Sequence, residues 1–140
     1  MIRTLLLLSC LIPSSLVAQS SPCALFTPAE IKAQFGTAVD AGELAGLGTG
    51  CQWAATNNDT AFAMIQVVRD TSAWSNPIAA PSYQKVNDIK GEGFSVMDPQ
   101  GGWRAEARTG KGAYVVVLIG APSARREGAV ALLRKLLERW

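Results

Sequence analysis

Few residues in this 140-residue chain are equipped for chemistry. Its only sulfur nucleophiles are Cys10, Cys23 and Cys51, and it contains no histidine. Without histidine the chain lacks the commonest general base, the commonest metal ligand and the usual proton switch near neutral pH. Its carboxylates are scattered and do not follow the spacing of a calcium-binding loop. The expectation is therefore a protein with no catalytic residue, no cofactor and no metal, and not an enzyme.

Three patterns imitate functional motifs. Gly46-Leu47-Gly48-Thr49-Gly50 looks like a phosphate-cradling loop, but it leads into a predicted strand, whereas such a loop opens a helix. Ser82-Tyr83-Gln84-Lys85 fits the Ser-x-x-Lys of penicillin-recognising enzymes, and Arg108-Thr109-Gly110 faintly echoes their third motif; the middle motif is missing. Trp53, Trp74, Trp103 and Tyr83 could line a ligand groove, although aromatic side chains on strands more often pack in the core.

The first 20 residues carry an address. Met1-Ile2-Arg3 supplies one positive charge, Thr4 to Ile12 a short apolar run, Pro13-Ser14-Ser15 a break, and Ala18 and Ser20 small residues for cleavage. That order describes a secretory signal peptide over 1–20, cut after Ala18 or Ser20. The apolar run falls far short of the ~20 residues that span a bilayer, so no transmembrane segment is expected. Leu7-Leu8-Ser9-Cys10 loosely resembles a lipidation box, but little apolar core precedes it and a leucine replaces the usual small residue. A lipid anchor at Cys10 is therefore disfavoured, and ordinary cleavage removes that cysteine.

Residues 21–140 are enough for a single domain with one core. A periplasmic or secreted location is oxidising, and the two remaining cysteines read as one disulfide, Cys23–Cys51, with two buried free thiols as the alternative. Charge is unevenly spread: four basic against eight acidic residues from Thr27 to Trp103, then eight against three from Arg104 to Arg139. No basic run is long enough to suggest a nucleic-acid partner.

The elements that must position these residues follow from local signals. Thr27-Pro28-Ala29-Glu30 predicts a capped helix start with a reciprocal Thr27/Glu30 capping box, a Phe26/Ile31 staple, and Gly36 as the stop. Ala41 to Gly50 reads as a glycine-rich loop. Gln52 to Thr56 and Thr60 to Asp70 form a hairpin around Asn57-Asn58-Asp59, the second strand central because neither face is polar. Thr71 to Asp88 is a wrapped loop anchored by Trp74, Ile78 and Tyr83, with one turn around Ser82 to Val86. Three strands follow: Gly93 to Met97, Trp103 to Thr109 and Ala113 to Ile119. Trp103, Ala105 and Ala107 alternate with Arg104, Glu106 and Arg108, the pattern of a sheet wet on one face. Ala129, Leu132, Leu133, Leu136, Leu137 and Trp140 mark an amphipathic C-terminal helix capped by Ser123. The sum is an α+β domain: an antiparallel sheet of about five strands, with a short N-terminal helix and a C-terminal helix packed on one face.

Pro22-Cys23-Ala24-Leu25-Phe26-Thr27-Pro28-Ala29-Glu30, Gly36 and Cys51-Gln52-Trp53 resemble the opening of a group of small exported bacterial domains of unknown function, often lipoproteins. Gly91-Glu92-Gly93-Phe94 is similar to a later segment of the same group. The resemblance implies a fold similar to that of the photosystem extrinsic subunit (PsbP-like), and brings no catalytic residue. The function expected is an exported, non-catalytic binding module for an envelope protein or a small ligand. Its expected binding surface is Arg104 and Arg108 on the wet sheet face, with Trp74 and Tyr83 nearby. The alternative is an inhibitor or immunity-type protein that blocks a secreted or envelope enzyme through Ala41–Gly50 or Thr71–Asp88.

Overall fold

The computed structural model describes residues 21–140; the expected signal peptide over 1–20, with Cys10, lies outside them. The chain opens with a 3-10 turn, Pro22–Leu25, followed by helix α1, Pro28–Phe35. The capping box forms: the Glu30 N–H donates to Thr27 Oγ1 at 3.3 Å and the Thr27 N–H to Glu30 Oε2 at 3.0 Å. Gly36, at φ +87°, ends the helix in the left-handed conformation that a side chain resists, and its N–H reaches Lys32 O. Seven strands and a second helix follow: β1 Glu43–Ala45, β2 Gly50–Ala55, β3 Asn58–Val68, β4 Gln84–Lys85, β5 Gly93–Met97, β6 Trp103–Arg108, β7 Tyr114–Gly120 and α2 Arg126–Arg139.

All seven strands join one antiparallel sheet in the order β1-β2-β3-β7-β6-β5-β4. The α+β class holds, and the expected five strands become seven. The two additional strands are short edges that carry too little periodicity to announce themselves. β1 lies inside the glycine-rich loop and pairs with β2 over only three residues. β4 replaces the turn expected around Ser82 to Val86, and only Gln84 and Lys85 pair with β5.

Both helices pack on one face. Cys51, Trp53, Ala63, Ile65, Val115, Val117, Ile119, Ala105 and Ala107 point to that side and are buried with Ile31, Phe35, Leu132, Leu133 and Leu136. The helices touch closely at Gly128, where a Cβ would stand 2.5 Å from the Gln34 carbonyl oxygen. At the far end Arg139 of α2 donates to Leu25 O at 2.6 Å, pairs with Glu30 and lies 4.8 Å from the centroid of the Phe26 ring. Ser123 does not cap α2. The helix starts at Arg126 with Arg125 before it, and no side chain caps it. A tertiary contact fixes this start: Arg126 Nε donates to the buried hydroxyl of Ser95 at 2.7 Å.

The Sγ atoms of Cys23 and Cys51 are at bonding distance, 1.99 Å, and their Cα atoms 5.0 Å apart, which ties the opening turn to β2. Among the described residues, no helix is long and apolar enough to cross a membrane.

Candidate functional site

The second sheet face is where the polar side chains gather. Strand register arranges them in rows: Gln66, Val116, Glu106 and Phe94 are neighbours across β3, β7, β6 and β5, and Met64, Leu118, Arg104 and Val96 form the next row. Tyr114 sits opposite Val68 on one side and Arg108 on the other. Apart from Gln66 and the Tyr114 hydroxyl, the central strands β3 and β7 are therefore apolar on this side too. An apolar sheet face calls for a cover.

The cover is the segment between β3 and β4. Trp74 packs against Phe94 at 5.4 Å and Tyr114 at 5.5 Å between ring centroids, and Tyr83 against Phe94 at 5.8 Å. Asn76 Nδ2 donates to Glu92 Oε1 at 2.6 Å, and the Met97 N–H donates to Ser82 Oγ at 2.9 Å. The Ser82 hydroxyl of the Ser-x-x-Lys pattern thus holds the backbone at the end of β5. Ile78 is not an anchor; it is 73% exposed. The face expected to be wet is strapped over near β5 and β6, and Phe94 is wholly buried beneath the strap.

Between strap and sheet runs a groove of about 340 Å³, floored by Met64, Val116 and Leu118 and walled by Arg104, Glu106 and Tyr114. Gln66, Ala73, Ser75 and Asp98 complete its rim. Glu106 is the unusual member, a carboxylate only 7% exposed. Burial pushes its pKa up from the usual carboxylate value, and the positive charge of Arg104 offsets only part of that. Arg104 Nε lies 3.2 Å from Glu106 Oε1, but its N–H does not point along that line. The contact is an ion pair without a directional hydrogen bond, and the solvent-sealed Nε–H finds no acceptor. The Tyr114 hydroxyl is also pushed up, first by burial and then by the charges of Glu106 and Asp70, with Arg104 opposing.

Of the four residues expected to form a binding surface, one lines this groove and two pack in the strap that covers the same sheet face. Arg104 lines the groove, Trp74 pins the strap beside it, and Tyr83 pins the strap further out on Phe94. Arg108 shares the face one row away, beside Tyr114, and is exposed. Arg104 is not free, because Glu106 holds it. Sequence reasoning missed Glu106, Tyr114 and Asp98. The signal was available in Met64, Val116 and Leu118: apolar residues on the second side of central strands require a lid, and a carboxylate between Arg104 and Arg108 then falls under it.

Two larger hollows, about 610 and 550 Å³, open around Trp140. Most of their cations are already engaged. Arg139 is held by Glu30 and Leu25 O, and Lys111 lies 5.1 Å from the Trp140 ring centroid and donates to its carbonyl. The smaller groove holds the under-partnered Arg104 and Glu106, and chemistry counts for more than volume here. Among the described residues no group of three or more cysteine, aspartate and glutamate side chains is placed to hold a metal ion. Compared with protein-family models, with curated proteins and with solved structures, the chain matches none.

Proposed function

We propose that this chain is an exported, non-catalytic binding module of the periplasm or the secreted space, and that the groove beneath the strap is its ligand site. One observation carries the proposal: a buried, poorly partnered carboxylate set in an apolar groove. Burying a charge that way costs stability and is retained where it serves a purpose. The disulfide between opening turn and β2 supports export, because such bonds persist in oxidising compartments. The helix–bridge–sheet arrangement is in keeping with the small exported domains of PsbP-like fold that the opening segment resembles.

The test uses protein processed and purified from the envelope of cells that express the full chain. Mass spectrometry should place its first residue after Ala18 or Ser20 and find Cys23 and Cys51 oxidised. Small amphiphiles titrated into it should move the NMR signals of Met64, Tyr114 and Leu118. Spectra unchanged at all three residues would refute the groove as a site.

A second reading, an inhibitor or immunity-type plug, draws support from one feature. Leu47 is fully exposed between two glycines and held at φ +57°. A leucine kept both strained and wet suits a tip that inserts into a partner. If so, Leu47→Asp abolishes inhibition of an envelope hydrolase while leaving the fold intact.

A further inference from the structure

We infer that the groove takes a small organic monocation, a protonated amine on a short apolar body, with the ammonium against Glu106. The inference rests on the groove being the ligand site, and adds the chemical class of what fills it. Glu106 has one partner among the described residues, the Arg104 guanidinium, and neither a backbone N–H nor a hydroxyl donates to it. A buried carboxylate ordinarily accepts several hydrogen bonds, so this one retains acceptor capacity facing the groove.

Charge fixes the sign of the ligand. Asp98 stands at the rim, and Asp70 is near enough for its charge to act on Tyr114. Two carboxylates, Glu106 and Asp98, thus line the groove against one guanidinium, Arg104, and Asp70 stands outside it. Arg108, one row out, is exposed, so solvent screens its charge. An anion would have to draw Arg104 from Glu106 and leave that carboxylate buried alone. An ammonium supplies the missing donors and cancels the surplus negative charge. Met64, Val116 and Leu118 would receive the apolar body, and the Tyr114 ring adds a face that attracts cations. At about 340 Å³ the space lies at the small end of the ~300–1,000 Å³ range of ligand pockets.

Three probes of one shape, hexylammonium, hexan-1-ol and hexanoate, are titrated into the purified protein at pH 7 and low salt, with groove signals followed by NMR. Hexylammonium should bind ~10-fold tighter than the alcohol, and hexanoate weakest. Glu106→Gln should bring the amine within ~3-fold of the alcohol. Asp98→Asn, at the half-exposed rim, should weaken the amine more than the alcohol, and serves if the first variant fails to fold. An amine no tighter than the alcohol, or one indifferent to both substitutions, overturns the inference while binding of the alcohol preserves the groove. If none of the three moves the groove signals, the site itself falls.

Discussion

Glu106 Oε1 stands 3.2 Å from Arg104 Nε, two residues back on the same strand and the same face. The pair is held in place by strand geometry, since side chains two apart in β6 point the same way. Burial nevertheless outweighs the attraction, and the carboxyl retains its proton to higher pH than an exposed one.

The first prediction follows from that balance. A carboxyl whose folded pKa is raised favours the fold while protonated, below the ordinary value of 4.5, and the contribution is lost as pH rises through the folded value. Glu106→Gln never ionises, so it should gain stability relative to wild type between pH 4 and 7. Urea midpoints measured across that window check it; a constant difference would count against a buried, destabilising charge. The variant that strengthens the fold is the one expected to lose the amine, as happens where function keeps a costly group.

Glu30 titrates in the opposite sense. Its hydrogen bond from Arg139 and the N–H of Thr27 lower its pKa to about 2. A depressed carboxyl contributes above its unfolded value of 4.5 and loses that contribution as pH falls towards 2. Glu30→Gln should therefore flatten the acid limb of the stability profile between those limits, measured by thermal melts at pH 2 to 5. An unchanged limb would mean Arg139 does not hold Glu30 in solution.

Removing the bridge should be costly. Cys23 and Cys51 close a loop with 28 residues of separation. Chain entropy alone then predicts a loss of about 3–4 kcal/mol for Cys23→Ser with Cys51→Ser. Denaturation under oxidising and reducing conditions reads this directly: wild type should fall to the level of the double variant when reduced.

Trp74→Ala should loosen the strap without unfolding the sheet. It removes two aromatic contacts, to Phe94 and Tyr114, and a loss of about 1–3 kcal/mol is expected from a half-buried tryptophan. Hydrogen exchange should quicken across 71–83 while the β3–β7 ladder stays protected. Faster exchange in β3 as well would show that the strap stabilises the whole sheet.

Gly102→Ala tests the β5–β6 turn. Gly102 holds φ +98°, and a Cβ there would run into the Ile119 carbonyl. Strain and overlap together should cost more than ~3 kcal/mol, visible as a lowered Tm. Gly101, also at positive φ but open around its Cβ position, should lose less.

Elements with strong local chemistry were legible in the sequence. Thr27, Glu30 and Gly36 mark α1 because capping is a short-range affair, and the leucine spacing of α2 marks its buried side. The start of α2 was not legible, because Arg126 is set by Ser95, 31 residues earlier. β1 and β4 were missed for the same reason: three- and two-residue strands take their identity from partners and not from periodicity. In the groove, Arg104 and Trp74 were named, but Glu106 was missed, because its signal lies on other strands, in the apolar second face of Met64, Val116 and Leu118. Its burial is made by a strap that the chain lays over it from 30 residues away, and alternation in β6 taken alone places it in water.

The strand order divides the domain into two runs of sequential hairpins, β1-β2-β3 and β4-β5-β6-β7, stitched by a single seam between β3 and β7. Residues that meet along that seam, from Val68 with Tyr114 to Phe62 with Gly120, are 46 to 58 positions apart, whereas every other ladder zips locally. Assembly must therefore wait for this one distant encounter, and the seam sets the pace at which the chain closes. A nick in the strap would leave two meanders able to find each other again along the same line.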